Sequence, residues 1–316
     1  MKKIVVIGGG TGLSTILRGL KDYPLDLTAI VTMTDDGSSS GKLRKDLKIL
    51  PPGDIRKCIA ALSDNEDMLI DLFEYRFKKG EGFVGHKFGN LWISALEEMT
   101  GSFEKAVEET SRLLAVRGRV LPSTLEDVHL KAEFKNGKTV SGETKIVSYG
   151  YRHKIEKIFL SKEAKSNDKA VDALKKADYI IVGPGSLYTS ILPNFLLKEI
   201  LETYNASSAP RVYICNVSTE RGETDGFGVK EHCGVLKKYG VKLDYAVINT
   251  TPFPPGSGDG FVNPVMKNYA RFKPCKVLEA DLISSGNPLY HDSSKLAAFI
   301  WRQITGRKLK RTKTLK

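Results

Sequence analysis

Short, continuous runs of apolar residues recur along the chain and restrict its fold more than any other feature. Each run is rich in isoleucine or valine and ends in glycine, asparagine, aspartate or threonine. Apolar runs of this kind are typical of strands covered on both faces, as in a parallel sheet. The runs are KIVVIGGG, DLTAIVTMTDD, DYIIVGPGS, RVYICNVS, DYAVINTT and KVLEADLI.

Helical periodicity follows several of these runs. After the first run, apolar residues recur at i, i+3, i+4 and i+7, which predicts a helix with one face on the sheet. These are Leu13, Ile16, Leu17 and Leu20, and the same spacing returns at Ile55, Cys58, Ile59 and Leu62. Repeated βα units predict an α/β protein with a Rossmann-like, doubly wound and mainly parallel sheet. Ligands of such sheets bind outside the carboxyl ends of the strands.

The 316 residues are interpreted as a single large α/β domain, 1–316, with two distinct segments. Residues 54–114 are predicted to be helical throughout. Residues 116–162 alternate apolar and polar side chains around Asn136-Gly137, a strong hairpin signal, and predict a small β-rich insertion. The last residues, 307–316, read RKLKRTKTLK and are predicted to be a solvated basic tail.

Composition excludes some partners. No apolar stretch approaches the ~20 residues of a membrane span. The first apolar run is also too short for a signal peptide, so we expect a cytoplasmic protein. The net charge of +12 arises partly from the basic tail. Elsewhere the cations are interleaved with acids and lack neighbouring aromatic clusters, so we do not expect a nucleic-acid partner.

The first run ends in the glycine turn GGGTG, which includes Gly9, Gly10, Thr11 and Gly12. Such a turn lets backbone N–H groups and a helix N-terminus approach a phosphate. The dinucleotide fingerprint is not matched, because Leu13 or Thr15 stands where its third glycine belongs, and no Walker A lysine follows. The alternative interpretation is a plain tight turn; we favour anion binding.

A second turn of this kind, GPGS, follows the strand at residues 178–182 and contains Gly185 and Ser186. Two anion-binding turns in one sheet predict a ligand that spans the crevice, such as a nucleotide joined to a second group. Asn216 ends the next strand. Its amide could recognise a base or sugar, or could cap a turn.

The second strand is followed by TDDG, which contains Asp35 and Asp36, with Ser38 next to it. Adjacent carboxylates can bind Mg²⁺ or a ribose, so both aspartates are candidate catalytic or metal-binding residues. An Asx turn is an equally weighted alternative.

Ser38 and three further residues are candidate substrate contacts. Arg56 follows in sequence and could face a diphosphate. His86 and Asn90 stand before an apolar helix, where Asn90 could instead be the N-cap and His86 a structural residue.

Several long blocks resemble the YvcK family, the bacterial gluconeogenesis factors related to the CofD 2-phospho-L-lactate transferases. The blocks are GGGTGLSTIL, TDDG, PPGDIRKCI, GHKFGN, VLPSTLE, GPGSLYTSI and NVSTERGETDG, between residue 8 and about residue 225. The sequence departs from the family pattern at Ser38, Lys42 and Lys87, where a glycine, an arginine and a serine are usual.

The resemblance implies a nucleotide or nucleotide-sugar ligand such as UDP-N-acetylglucosamine, a homodimer, and a regulatory role in carbon metabolism and in cell shape or wall synthesis. It implies no covalently bound cofactor. The CofD branch transfers a phospholactyl group from a guanosine diphosphate derivative to a deazaflavin with the help of Mg²⁺. For such an enzyme Asp35 or Asp36 would hold the metal. We rank the regulator first and the transferase second.

Overall fold

Seven strands form a central sheet in the structure, a computed structural model that describes residues 1–64, 67–253, 262–269 and 275–306. A smaller sheet of three strands lies beside it. The strands are β1 (Lys2–Gly8), β2 (Leu25–Val31), β3 (Arg119–Pro122), β4 (Leu130–Phe134), β5 (Thr139–Ser141), β6 (Ile155–Leu160), β7 (Tyr179–Val182), β8 (Arg211–Ile214), β9 (Tyr245–Asn249) and β10 (Lys276–Ala280).

The helices within the described residues follow or precede these strands. They are α1 (Gly10–Leu20), α2 (Ser38–Leu47), α3 (Gly53–Leu62), α4 (Asp67–Glu74), α5 (Phe88–Thr100), α6 (Phe103–Leu113), α7 (Glu143–Gly150), α8 (Asp168–Lys175), α9 (Leu192–Phe195), α10 (Lys198–Ala206), α11 (Val229–Lys238) and α12 (Ser293–Thr305), and a π-helical turn, Leu187–Ile191, precedes α9.

The large sheet has the order β10-β9-β8-β7-β1-β2-β3, and all its neighbouring strands are parallel. The predicted doubly wound α/β fold is confirmed, and each of the six apolar runs forms a strand of this sheet. Alternate residues of β1 enter two different cores. Ile4 and Val6 pack with α1, α3, α6 and α12 on one face, whereas Val5 and Ile7 pack with α8 to α11 on the other. Both faces are therefore covered, which explains why the strands are apolar throughout.

The predicted apolar helix faces are also confirmed. The four apolar residues of α1 and the four of α3 are fully buried in the core on the same side of the sheet. Burial of such side chains stabilises the fold by about 1.5–3 kcal/mol each. This packing fixes the N-terminus of α1 at the carboxyl end of β1.

The small sheet has the order β5-β4-β6 and is antiparallel. The predicted hairpin connects β4 and β5, and Gly137 adopts a φ of +82° there. The insertion begins later than predicted, because β3 pairs with β2 in the large sheet although it lies inside the segment 116–162. A run as short as RVLP carries too little periodicity to reveal which sheet it joins.

The segment 54–114 is not helical throughout. Residues 75–87 form a loop between α4 and α5, where Gly80, Gly82 and Gly85 all have positive φ angles. Glycines in this conformation end a helix instead of continuing it. No helix in the described part of the chain is both long and apolar enough to cross a membrane. The predicted basic tail, 307–316, lies outside the described residues.

Candidate functional site

A cavity of about 450 Å³ opens at the carboxyl ends of β1, β7 and β8. Strands β1 and β7 are neighbours at the middle of the sheet. The strands that follow β1 in the chain, β2 and β3, lie on one side of this pair, and those that follow β7, from β8 to β10, lie on the other. The helix after β1 packs on one face of the sheet, and the helical segment after β7 packs on the other. A crevice therefore opens at this switch point, which is where open α/β sheets bind their ligands.

The glycine turn after β1 forms one wall of the cavity. Gly9, Gly10, Thr11 and Gly12 all line it. Gly10 has a φ of +64°, which glycine adopts without strain. A Cβ atom on Gly12 would lie 2.4 Å from the carbonyl oxygen of Pro184, so the two turns can approach this closely only with glycine there.

A carboxylate of the protein itself occupies part of this turn. The Gly10 N–H donates a 2.7 Å hydrogen bond to Oδ2 of Asp54, and Lys57 Nζ donates one of 2.9 Å to Oδ1. Asp54 lies at the start of α3 and is buried. The sequence analysis did not select it, although it belongs to the PPGDIRKCI block. The turn thus holds an anionic group at one of its amides, and that group belongs to the protein.

The glycine turn after β7 forms the facing wall. Gly185, Ser186 and Asn216 line the cavity. The side-chain amide of Asn216 accepts from the Gly185 N–H and donates to the Gly185 carbonyl, both at 3.1 Å. Asn216 therefore braces the turn with both ends of its amide. The Ser186 hydroxyl donates to Oε1 of Glu220 at 3.1 Å.

The two adjacent aspartates of TDDG lie in different places. Asp35 lines the cavity, and its Oδ1 accepts a 2.8 Å hydrogen bond from the Gly37 N–H, which is an Asx turn. Asp36 is not among the residues that line the cavity. Its Oδ1 accepts from both the N–H and the hydroxyl of Thr144 at 2.9 Å, in the first turn of α7. Asp36 therefore joins the loop after β2 to the insertion.

Three carboxyl groups, of Asp35, Asp54 and Glu143, share the wall near α3 and α7. Burial raises the pKa of Asp35, and the charge of Asp54 raises it further. Burial also raises the pKa of Glu143 well above its usual range, with further contributions from Asp54 and Asp35. Both shifts arise mainly because burial destabilises the charged carboxylate, and repulsion from the neighbouring acids adds to this effect.

This acidic wall bears on the metal that the family resemblance implies. Among the described residues, no group of three or more His, Cys, Asp or Glu side chains is arranged to hold a metal ion. However, Mg²⁺ is commonly bound by one or two carboxylates together with the phosphates of a ligand. Repulsion from Asp54 contributes, after burial, to the raised pKa values of Asp35 and Glu143, and a bound cation would relieve this repulsion. The residues therefore fit a Mg²⁺ ion that is bound together with a phosphate ligand.

A second pair of acids, Glu220 and Glu223, lies behind the turn after β7. Glu223 accepts hydrogen bonds from the Thr189 hydroxyl at 2.7 Å and the Tyr188 N–H at 3.0 Å. Burial raises the pKa of Glu220 to about 8, and the charge of Glu223 adds to this effect. Glu220 lines the cavity, and its raised pKa favours the neutral form of the carboxyl group.

The cavity has two further residues that sequence reasoning missed. Arg221 lines it, and its guanidinium lies 4.4 Å from the ring centroid of Tyr151. His291 reaches the cavity from the segment before α12, and burial lowers its pKa to about 4. Arg221 follows the strand end that carries Asn216 and could have been selected on that ground. His291 follows no strand of an apolar run closely, and no local pattern marks it.

Arg56, His86 and Asn90 are buried, and none of them lines the cavity. Arg56 Nε donates to Oδ1 of Asn90 at 3.0 Å, and Asn90 Nδ2 donates to the Ser39 hydroxyl at 2.9 Å. His86 Nδ1 lies 3.4 Å from the same hydroxyl. This polar network joins α2, α3 and α5, and Arg56 also pairs with Glu74.

The N-cap interpretation of Asn90 is wrong, because α5 begins at Phe88 with Lys87 as its N-cap. Burial lowers the pKa of His86, and it lowers that of Arg56 to about 10. Ser38 begins α2, but its side chain lies outside the described residues. The assignment of Ser38, Arg56, His86 and Asn90 to a substrate stays a prediction.

The fold is that of a Rossmann-like α/β protein with a cavity at its switch point, and the comparisons identify its family. The family model described as 2-phospho-L-lactate transferase CofD matches residues 4–273, so the chain belongs to the CofD family. The crystal structure of a protein from Bacillus halodurans superposes with a TM-score of 0.90 at 40% identity, covering 95% of this chain and 99% of that one.

Curated relatives carry the name gluconeogenesis factor. The one from Bacillus subtilis (strain 168) is 51% identical over 238 residues, which are 75% of this chain and 74% of that protein. A relative from Nostoc (strain PCC 7120) is 54% identical over 231 residues, which are 73% of this chain but only 50% of the Nostoc protein. The chain thus spans about half of the length of this relative. His291 lies beyond the residues that the family model matches.

Proposed function

We propose that the cavity binds the diphosphate of a nucleotide sugar, a UDP-sugar such as UDP-N-acetylglucosamine, and that the protein is a regulator of carbon metabolism and of cell shape or wall synthesis. The observation that carries this proposal is the convergence of two glycine turns on one cavity at the switch point. Such turns expose backbone N–H groups that bind phosphate. Two of them suit a ligand with two phosphates between a nucleoside and a second group.

The charges of the cavity define how such a ligand is neutralised. Among the described residues, four carboxyl groups line it, those of Asp35, Asp54, Glu143 and Glu220, whereas the cationic side chains are Lys57 and Arg221. Lys57 already pairs with Asp54. The side chains alone therefore do not neutralise a diphosphate, and a divalent cation that accompanies the ligand would supply the missing charge. Asp35 and Glu143 would hold it, since both oxygens of Asp54 already accept hydrogen bonds.

The protein's own groups divide the remaining tasks. The Gly10 N–H is bonded to Asp54, so the remaining amides of the turn after β1 and the hydroxyl of Thr11 would face one phosphate. Burial raises the pKa of Glu220 to about 8, so below that pH its carboxyl group is neutral and does not repel the other phosphate. Asn216 holds the turn after β7 in place through its two bonds to Gly185. None of these contacts requires a covalent step.

Isothermal titration calorimetry with UDP-N-acetylglucosamine, with and without Mg²⁺, tests the proposal. We expect binding that requires Mg²⁺ and is at least tenfold weaker in Thr11→Val, because the hydroxyl at the helix N-terminus is lost. Thr305→Val, in α12 and outside the cavity, is the matched control. Equal affinity of both variants and the unmodified protein would place the ligand elsewhere.

The acidic wall supports a second candidate, a transferase of a phosphorus-containing group. Carboxylates that bind a metal beside a diphosphate are suited to stabilise charge on a departing nucleotide. Incubation with a guanosine diphosphate derivative of phospholactate, Mg²⁺ and a deazaflavin acceptor should then release GMP. UDP-sugar should bind without turnover if the regulator is correct, and GMP release would reverse the ranking.

We also propose that the protein is a homodimer. Met68, Leu72 and Tyr75 are exposed at the spacing of one helix face along and just after α4, and Phe83 is exposed in the following loop. Exposed apolar surfaces of this kind are typical of protein interfaces. Light scattering should give twice the mass of one chain, and Leu72→Lys should give the mass of one chain.

A further inference from the structure

The small sheet and α7 enclose a second groove, which is separate from the cavity at the switch point. Its volume is about 800 Å³, and it lies on the surface between β5 and α7. Lys138, Lys145 and Arg152 line it and are exposed. None of the described residues that line it is acidic. The groove therefore carries an unbalanced positive charge.

One side of the groove is a free sheet edge. Within the part of the chain that the structure describes, strand β5 pairs only with β4, in the order β5-β4-β6. The Phe134 N–H donates to the Lys138 carbonyl, and the Gly142 N–H donates to the Leu130 carbonyl. Hydrogen-bonded positions alternate along an antiparallel strand. The N–H and C=O groups of Thr139 and Ser141 therefore point away from β4, toward the open edge.

The aromatic side chains of the groove are already engaged within the protein. The His153 ring stacks on Tyr149 with centroids 4.3 Å apart, and Lys138 Nζ lies 4.7 Å from the Tyr149 centroid. The ring of Tyr151 carries the guanidinium of Arg221. Single-stranded nucleic acids bind by stacking bases on free aromatic faces. The groove therefore offers charge and backbone groups rather than a stacking surface.

We propose that this groove is an interaction surface for an acidic, extended segment of a partner protein, which adds to β5 as a further strand. Addition of a strand to a free edge is a recurring mode of peptide recognition, in which backbone hydrogen bonds provide affinity. The three cations provide specificity for Asp or Glu side chains of the segment.

Fluorescence anisotropy with synthetic peptides tests the proposal. The probe is a labelled peptide of alternating valine and glutamate, about eight residues long to match a strand. We expect saturable binding that weakens with salt, and no binding of the valine–lysine peptide. A glutamate peptide with proline at alternate positions has the same charge but lacks the N–H donor at every second residue and resists the extended pairing of a strand, so it should bind at least tenfold more weakly.

Charge-reversal variants locate the site. Lys145→Glu and Arg152→Glu should each weaken binding of the acidic peptide about tenfold, because an attractive contact becomes a repulsive one. Lys198→Glu, on the exposed surface of α10, makes the same change in net charge outside the groove and should leave the affinity unchanged. Thermal melting of each variant shows whether its fold is intact.

Amide hydrogen exchange supplies the second readout. Bound peptide should slow the exchange of the Thr139 and Ser141 amides, which a purely electrostatic contact would not do. The proposal is overturned if the acidic peptide does not bind, or if its binding is insensitive to Lys145→Glu and Arg152→Glu. It is also overturned if an oligothymidylate binds more tightly than the peptide and loses affinity in the same two variants, since the surface would then recognise nucleic acid.

Discussion

Replacing Asp35 and Asp36 one at a time by asparagine should separate ligand binding from stability. The two residues are adjacent and chemically identical, but only Asp35 lines the cavity. Asparagine keeps the oxygen that accepts from the Gly37 N–H in one case and from Thr144 in the other. Each substitution therefore tests the charge of one carboxylate with little change in shape.

We expect the two substitutions to change the free energy of unfolding in opposite directions. Asp35 faces Asp54 and Glu143, and two unit charges about 6 Å apart repel by roughly 3 kcal/mol at an effective dielectric of 20. Part of this repulsion is already avoided because the raised pKa of Asp35 favours its neutral form. We expect Asp35→Asn to raise the free energy of unfolding by about 1 kcal/mol. Asp36→Asn should lower it by about 0.3–1 kcal/mol, since Asp36 interacts with the N-terminus of α7.

The pH dependence provides a further check. The folded-state pKa of Asp35 lies above its usual value, so the folded state binds more protons than the unfolded state between these two pKa values. The unmodified protein therefore loses stability as the pH rises through this window. The gain from Asp35→Asn should be largest above the raised pKa and vanish at acid pH. Urea unfolding at several pH values measures it.

Ligand affinity should fall in Asp35→Asn, the variant expected to be more stable, and stay unchanged in Asp36→Asn. Asp35→Asn removes a carboxylate that would hold the Mg²⁺, so titration with UDP-N-acetylglucosamine and Mg²⁺ should show at least tenfold weaker binding, about 1.4 kcal/mol. Asp36→Asn should bind as the unmodified protein does. The reasoning is refuted if Asp35→Asn unfolds more easily yet binds normally, because the carboxylate would then be purely structural.

Three other outcomes follow from the structure. Gly12→Ala should destabilise the protein by more than about 2 kcal/mol in urea unfolding, since its Cβ would lie 2.4 Å from the Pro184 carbonyl oxygen. Gly234→Ala, a helical position with nothing within 4 Å, should instead stabilise by about 0.5–1 kcal/mol, and equal effects of the two would contradict the packing described. Ligand affinity should fall as the pH rises above about 8, where Glu220 becomes charged and repels a phosphate, and Glu220→Gln should flatten this dependence because its amide stays neutral. Deletion of 307–316 should abolish any retention on DNA at low salt, and retention that survives would favour a nucleic-acid partner.

The fold follows from local patterns wherever those patterns are long. Strand β1 is predictable from its continuous apolar run, and helix α1 from the apolar face through Leu13 and Leu20. Both patterns can be read from residues that are close together in the sequence. The four residues of β3 are too few for such a pattern. They join the large sheet through pairing with β2, and that contact spans about ninety positions of the chain.

The residues of the site also fall into two groups, those that local sequence predicts and those that only tertiary packing places. Those that directly follow a strand, such as Gly9, Asp35 and Gly185, could be located because parallel strands end at one edge of the sheet. Asp54 and Glu143 reach the cavity from a helix start and from the insertion, and only tertiary packing brings them there. The orientation of the Asp36 side chain depends on its hydrogen bond with Thr144, which lies more than one hundred residues further along the chain.

The path by which Glu143 reaches the cavity has a consequence for how this family can diversify. Glu143 begins α7, which lies with the small antiparallel sheet in residues 130–160, between two strands of the large sheet. Recombination that exchanges these residues as one block would replace an acid of the cavity and the edge strand of the surface groove together, while every parallel strand stays intact. With the ligand and the partner proposed above, one such exchange would change both binding preferences in a single genetic event. Chimeras between relatives, with the block exchanged at its two ends, would reproduce such an event in the laboratory.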